Sequence, residues 1–575
     1  MKKIKKRKIN KKRIFALLVS IFIILFTAII ISNLQENYVT KSAKTKVILI
    51  CLDGATWNVI IPLIDEGELP NFAKLMKKGA YGDFICDPPL SPQSWTSIAT
   101  GMNEEKHGIH DFYITLPEKT EIIPMNRLMI KTKTLWEILN ENNKKVGLLN
   151  WLITWPPQKL EGFVIPSWMK QDNSTYPPNL IGEIENNVNI KRFEGNLVSW
   201  ANRSDNLESF FEYEMIETDN LIKTSQYLLK KYNLHLFAVG FYFTNEGQHL
   251  FWKYMEPQYF NVTKEEVEKF GDAIPTFYRK IDNFIGRFML DEDITLFVLS
   301  DHGMGRLHQD QITCLDYGTF IREYDELLNL MGLLYYKNDS KDIDWTRTKA
   351  YYCGGLLRKG FCINLKGRES NGIVEDGEFE TLKTEIKNML QNMIFLDENK
   401  STDFWPGIKK SVSGEELSPS IANIFSNVTE DYHPDVTFNI HYCVEYKDAE
   451  DLLKKKILID NKIHKLGDFI KWHGISADHE VEGILLMKGP NLKKDVFIEN
   501  ARNIDITPTI LYLMGLPVGK NMDGRVLTEA INKEYLIQNP VNYVDSYDNE
   551  EVKSENLTSI NKDIKEKLES LGYIN

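Results

Sequence analysis

The sequence predicts an α/β fold: a doubly wound, mostly parallel sheet with an inserted cap region and an N-terminal transmembrane helix. Three observations predict it. A continuous apolar run, Val47–Leu52, and the largely apolar stretches Leu234–Phe243 and Ile294–Ser300 read as strands covered on both faces. Helical stretches such as Leu69–Gly79 and Thr134–Asn140 alternate with them, as crossover connections require. At 575 residues and 43% hydrophobic, the chain is long enough to bury the core that such a sheet needs.

The first element is not part of that sheet. Residues 1–13 carry nine basic and no acidic side chains, and Ile14 to Ile31 then run apolar apart from Ser20 and Thr27. That length suits one membrane-spanning helix. No small-x-small cleavage site follows, so 14–34 reads as an uncleaved signal anchor. The positive flank stays inside, which places the rest of the chain outside the cell, tethered to the membrane by a single pass. A polar linker, 35–45, leads into the main folded domain over 46–532. Within it, the less regular stretch 310–440 reads as the cap insertion, and sheet-type sequence resumes near Gly483–Met487 and Ile506–Gly515. The polar tail, 533–575, ends in a helix near 561–571.

Charge narrows the partners. The whole chain has a net charge of −12; without residues 1–13 it sets 60 cationic against 81 acidic side chains, a net of −21. A field of that sign disfavours nucleic acid as a bulk partner. It leaves room for a small anionic substrate, because a metal site inverts the local potential. The six cysteines show no CxxC spacing, so neither a zinc ribbon nor a redox pair is indicated. Cys353 and Cys362 could bridge in an oxidising exterior or remain buried thiols.

Chemistry gathers where strands end. Ligands in open α/β sheets bind beyond the carboxyl ends of the strands. Asp53, Asn245 with His249, and Asp301 with His302 all fall at such ends, and His479 enters another strand. Ser91-Pro92 reads as a helix N-cap followed by proline at the first helical position, with Gly101 closing the helix in a left-handed cap. A serine there most often only caps. In the company of carboxylates and imidazoles at several strand ends, it reads as a nucleophile at the positive end of a helix dipole. Two divalent ions about 4 Å apart can share one phosphoryl group, and coordination makes a serine hydroxyl reactive. Asp53, Asp301, His302 and Ser91 would form one cluster; His249 and His479, with Asn245 or Glu246, would form the other.

These residues lie in islands that carry a resemblance. VILICLDG (47–54), SPQSWTSIATGMNEEKHGIHDF (91–112), FTNEGQHLFW (243–252), SDHGMG (300–305), DHEVEGILLMKGP (478–490) and DITPTILYLMGLPVGKNMDGRVL (505–527) occur in that order. The chain resembles the alkaline phosphatase superfamily, specifically its type I phosphodiesterase/nucleotide pyrophosphatase branch. The resemblance implies a metal-liganded nucleophile at Ser91, with Asp53, Asp301 and His302 as ligands of its metal. It implies His249 and His479 as ligands of a second ion, and Asn126 as a donor to a phosphate oxygen. The two ions would be zinc, with manganese or magnesium as alternatives. The family pattern usually has Asp where this chain has Asn245, and an amide oxygen is neutral and a weaker ligand for a hard dication. Either Asn245 still binds weakly, Glu246 substitutes, or the second ion is loosely held. Sulfatases share the fold but carry Cys/Ser-x-Pro-x-Arg at the nucleophile, which Ser91-Pro-Gln-Ser-Trp does not match.

The resulting expectation is a membrane-anchored, metal-dependent hydrolase of phosphodiester or pyrophosphate bonds, working on a small phosphoester through a phospho-serine intermediate. The alternatives are a phosphomonoesterase or phosphotransferase acting on envelope glycan or lipid, and a non-catalytic binding ectodomain.

Overall fold

The computed structural model describes residues 47–116, 121–170, 172–191, 206–307, 312–314, 320–338, 340–353, 360–396, 401–403, 435–437, 443–445, 453–472 and 475–548. The expected anchor 14–34, its flank, the linker 35–45 and the helix near 561–571 lie outside them. Among the described residues, no helix is long and apolar enough to cross a membrane.

The central sheet has eight strands: β1 Val47–Leu52, β2 Ala80–Ile85, β3 Val146–Trp151, β4 Gly162–Pro166, β5 Leu236–Phe241, β6 Thr295–Ser300, then Glu482–Lys488 and Val496–Arg502. The spatial order is Val496–Arg502, β2, Glu482–Lys488, β6, β1, β5, β3, β4. Every pairing is parallel except the two made by Glu482–Lys488, which runs against both β2 and β6. The mostly parallel, doubly wound sheet read from the sequence is therefore the sheet of the fold.

β1 shows why continuous apolar sequence was needed. Val47, Leu49 and Cys51 pack on one side, against a core that includes Trp95, Leu135 and Ile510. Ile48, Ile50 and Leu52 pack on the other, with Phe72, Phe251 and Phe277. Alternate residues face opposite sides of a strand, so a strand with helices on both faces has no solvent side to leave polar.

Between β6 and Glu482–Lys488 lies a short antiparallel ribbon, β7 Gly303–Arg306 paired with β8 Ala477–Glu480. The chain leaves the sheet along β7 and returns along β8. The excursion contains the region expected as the cap, 310–440. The excursion has its own apolar core, with Leu327, Tyr351, Phe361 and Ile386 among its described members; Ile457 and Ile470 also belong to it, so the packed unit runs past the expected boundary at 440. Cys353 and Cys362 are joined there as a disulfide, with their Cα atoms 5.7 Å apart. Past Lys533 the chain stays attached: Tyr543–Val544 pairs with Val518–Gly519, and Asp548 accepts from the Lys133 backbone N–H at 2.7 Å.

Candidate active site

Because seven of the eight strands share one direction, their carboxyl ends form one rim, and four sets of predicted site residues sit on it. Asp53 follows β1 directly. Gly54 comes next, with φ at +66°, a conformation that glycine adopts at no steric cost. A Cβ at Gly54 would also meet the His302 ring at 3.1 Å. That turn aims the Gly54 N–H at Asp301 Oδ1, 3.0 Å away at the end of the neighbouring β6. Gln248 fixes the turn from the far side, donating from Nε2 to Gly54 O at 2.8 Å and accepting from the Tyr278 hydroxyl at 3.1 Å.

Ser91 opens helix α1, Ser91–Thr100, every residue of which is buried. The cap residue is Leu90, in extended conformation, rather than Ser91 as the sequence suggested, and Pro92 falls at the second position of the helix. The one-residue shift matters chemically. The Ser91 hydroxyl is not folded back onto its own helix; it donates to Asp53 Oδ1 at 3.3 Å and lies 3.5 Å from His302 Nε2. Gly101 ends the helix in the left-handed region, φ 72°, as read from the sequence. The other hydroxyls nearby serve the fold: Ser94 accepts from Asn503 at 3.0 Å, and Thr96 donates to Pro92 O at 2.7 Å.

Asp53, Asp301 and His302 form a cluster whose ligand atoms all lie within 4.8 Å of one another. His302 Nε2 is 3.2 Å from Asp53 Oδ1 and 3.6 Å from Asp301 Oδ2. Burial, then Asp301, pushes the Asp53 carboxyl up to about 7. Burial opposes charge on His302, but Asp301 and Asp53 outweigh it and raise the imidazole to about 9. Two fully desolvated carboxylates need a positive charge between them. Asp301 Oδ2 is buried with no hydrogen-bond partner. Two carboxylate oxygens and an imidazole nitrogen converging in this way fit a hard or borderline dication.

The second cluster stands beside the first. Helix α2, Phe243–Met255, starts two residues after β5 and presents Asn245 and His249 one turn apart, hence on one face. His249 Nε2 is 3.2 Å from His479 Nε2, and the His479 ring stacks on His302 with centroids 3.9 Å apart. All three imidazoles are held through Nδ1 by backbone carbonyls: His302 on Gly303 at 2.7 Å, His249 on Ala477 at 2.7 Å, His479 on Pro89 at 2.9 Å. A carbonyl only accepts, so each Nδ1 carries the proton and each Nε2 turns inward as a potential ligand. Burial, then His302 and His249, holds His479 well below the usual imidazole range.

The structure therefore brings Asp53, Ser91, Asp301, His302, His249 and His479 into one chain of contacts, with Asn245 one turn from His249. Asn126 is buried, but its hydrogen bonds are local: Oδ1 accepts from the Leu128 N–H at 3.0 Å, and Nδ2 donates to Pro124 O at 3.4 Å. Sequence reading missed Gln248, Gly54 as a donor to Asp301, and the three carbonyl partners. Gln248 had one available signal, its position beside His249; backbone carbonyls leave none.

The fold and the site together define an α/β protein in which strand ends of a doubly wound sheet converge on a buried serine hydroxyl. The chain belongs to the type I phosphodiesterase/nucleotide pyrophosphatase family, whose profile matches residues 47–444. No curated protein sequence matches it. Among solved structures it is similar to human ectonucleotide pyrophosphatase/phosphodiesterase 5, at 13% identity and a TM-score of 0.44, covering 85% of this chain and 100% of that one. It is also similar to the murine protein of that name, described as an inactive threonine-to-alanine variant in complex with AMP. That likeness is at 13% identity and a TM-score of 0.42, over 82% of this chain and 95% of that one. His479 lies beyond the matched span, so its place in the site rests on geometry.

Proposed function

We propose that this chain is a membrane-anchored, metal-dependent hydrolase of phosphodiester or pyrophosphate bonds that works through phospho-Ser91. The observation that carries the reading is the Ser91 hydroxyl, 3.3 Å from Asp53 and 3.5 Å from His302 inside a buried cluster of potential metal ligands. Two divalent ions, zinc or alternatively manganese or magnesium, would supply Lewis acidity at the serine and at the leaving oxygen. Asp53, Asp301 and His302 would hold the first, and Asn245, His249 and His479 the second. Ser91 attacks phosphorus, the bond to the leaving alkoxide or phosphate breaks, and water then cleaves the Ser91 ester to regenerate the hydroxyl. The N-terminus of α1 faces the phosphoryl oxygens with its dipole. Asn126, as the family resemblance implies, would donate to one of them from Nδ2, which carries a second hydrogen beside the one directed at Pro124 O.

The test is hydrolysis of bis-p-nitrophenyl phosphate against p-nitrophenyl phosphate, with and without chelator. Preference for the diester, abolished by chelation and restored by zinc, is expected. Preference for the monoester would favour a phosphomonoesterase or phosphotransferase, and no metal-dependent turnover of either would favour a binding ectodomain. The anchor is tested separately, from the nine-cation flank before the apolar run at 14–31. Protease added outside intact cells should degrade 35–575; full protection until lysis would contradict the orientation.

A further inference from the structure

The two clusters beside Ser91 differ in charge. The first contains two carboxylates, Asp53 and Asp301. The second offers an amide oxygen and two imidazoles, all neutral. In that second cluster His249 Nε2 and His479 Nε2 face each other at 3.2 Å, with both protons committed to carbonyls on the other side of the rings. Asn245, 4% exposed, has its Oδ1 buried without a hydrogen-bond partner. Two Nε2 lone pairs that converge so closely repel unless a proton or a metal cation lies between them. Nothing about the imidazoles is loose. Ser476 donates twice to His249 O, from its N–H at 2.6 Å and its hydroxyl at 3.0 Å, and β8 carries His479 itself. A dication there would be well placed but poorly neutralised.

We propose that the two clusters fill in sequence: Asp53, Asp301 and His302 bind one divalent ion tightly, whereas Asn245, His249 and His479 bind the second weakly until a phosphate anion bridges the two. The inference rests on the metal-dependent reading above. A phosphate oxygen brings the negative charge that the second donor set lacks, so phosphate and the second ion each raise the other's affinity by the same factor. Glu246, on the helix that carries Asn245 and His249, is a carboxylate that could lend charge instead. It is buried and acts on Asp53 and Tyr213. It lies three residues from His249 and beside Asn245, so a substitution there separates the two sources of charge.

The experiment is calorimetric titration of the full-length chain with zinc after chelator treatment, alongside the metal content of the dialysed protein. About one equivalent should survive dialysis. The isotherm should show two steps separated by at least about a hundredfold, and inorganic phosphate should tighten the second step alone. Asn245→Asp, which adds a charge at the second cluster, should tighten that step by roughly ten- to hundredfold and leave the first unchanged. His249→Ala should remove the second step only. Two steps of equal affinity, coincident isotherms for wild type and Asn245→Asp, or loss of the second step in Glu246→Gln would each overturn the proposal. Absence of any zinc binding would instead overturn the metal-dependent reading on which it rests.

Discussion

Replacing Ser91 by alanine should lower diester hydrolysis by at least about three orders of magnitude, because losing a covalent nucleophile leaves only positioning and electrostatics. The fold should persist. Ser91 is one of ten buried residues of α1, its hydroxyl bonds only into the site, and the helix is anchored elsewhere by Trp95 and Ile98. Metal content should also persist, since Asp53, Asp301 and His302 retain their ligand atoms. Ser94→Ala and Thr96→Ala should be far milder, because their hydroxyls are spent on Asn503 and on the Pro92 carbonyl. Turnover rates and metal analysis of the three variants check this. Loss of activity in Ser94→Ala with full activity in Ser91→Ala would move the nucleophile.

Asp301→Asn should separate activity from stability. The carboxyl is fully buried; its Oδ1 accepts from Gly54, and its Oδ2 has no hydrogen-bond partner. An amide keeps the shape and the bond from Gly54 but removes one of the two charges facing the first metal position. Metal affinity should fall by about a hundredfold or more, and activity by about three orders of magnitude. Without metal, the same change should leave the melting temperature little changed. It removes the repulsion that helps push the Asp53 carboxyl up to about 7, but it also removes the attraction that raises the His302 imidazole to about 9. Thermal melts of both proteins in chelator check this. A less stable metal-free variant would show that Asp301 serves the fold first.

The sheet was legible where strands are buried on both faces. β1, β5 and β6 are buried throughout and largely apolar, and six such residues between turn signals are too short for a buried helix. β2 was not legible. Ala80–Ile85 alternates in burial and contains Gly82 and Asp83, poor strand formers by composition. Its glycine is explained only by tertiary contact, since a Cβ at Gly82 would sit 2.1 Å from the Ile498 carbonyl.

The site followed the same division. Asp53, Asp301 and His302 could be found because a strand end fixes where the next residue lies. His479 could be named, but its contacts could not. Its place depends on β8 pairing with β7 after a long excursion, a register that local sequence does not encode. The start of the Ser91 helix was misread by one residue for a simpler reason. Serine before proline is a good cap signal, and the pull of Asp53 and His302 on the hydroxyl is invisible until the sheet has formed.

If Ser91 itself accepts the phosphoryl group, acid-quenched turnover will trap it there. Protein mixed with excess diester and quenched within a single turnover should yield, on peptide mass spectrometry, a phosphoryl group that still carries the retained ester substituent on the peptide containing Ser91. The label should be absent in Ser91→Ala and should decay when the wild-type reaction runs on before quenching. That adduct on any other residue, or full turnover with no labelled peptide at any quench time, would contradict a Ser91 nucleophile.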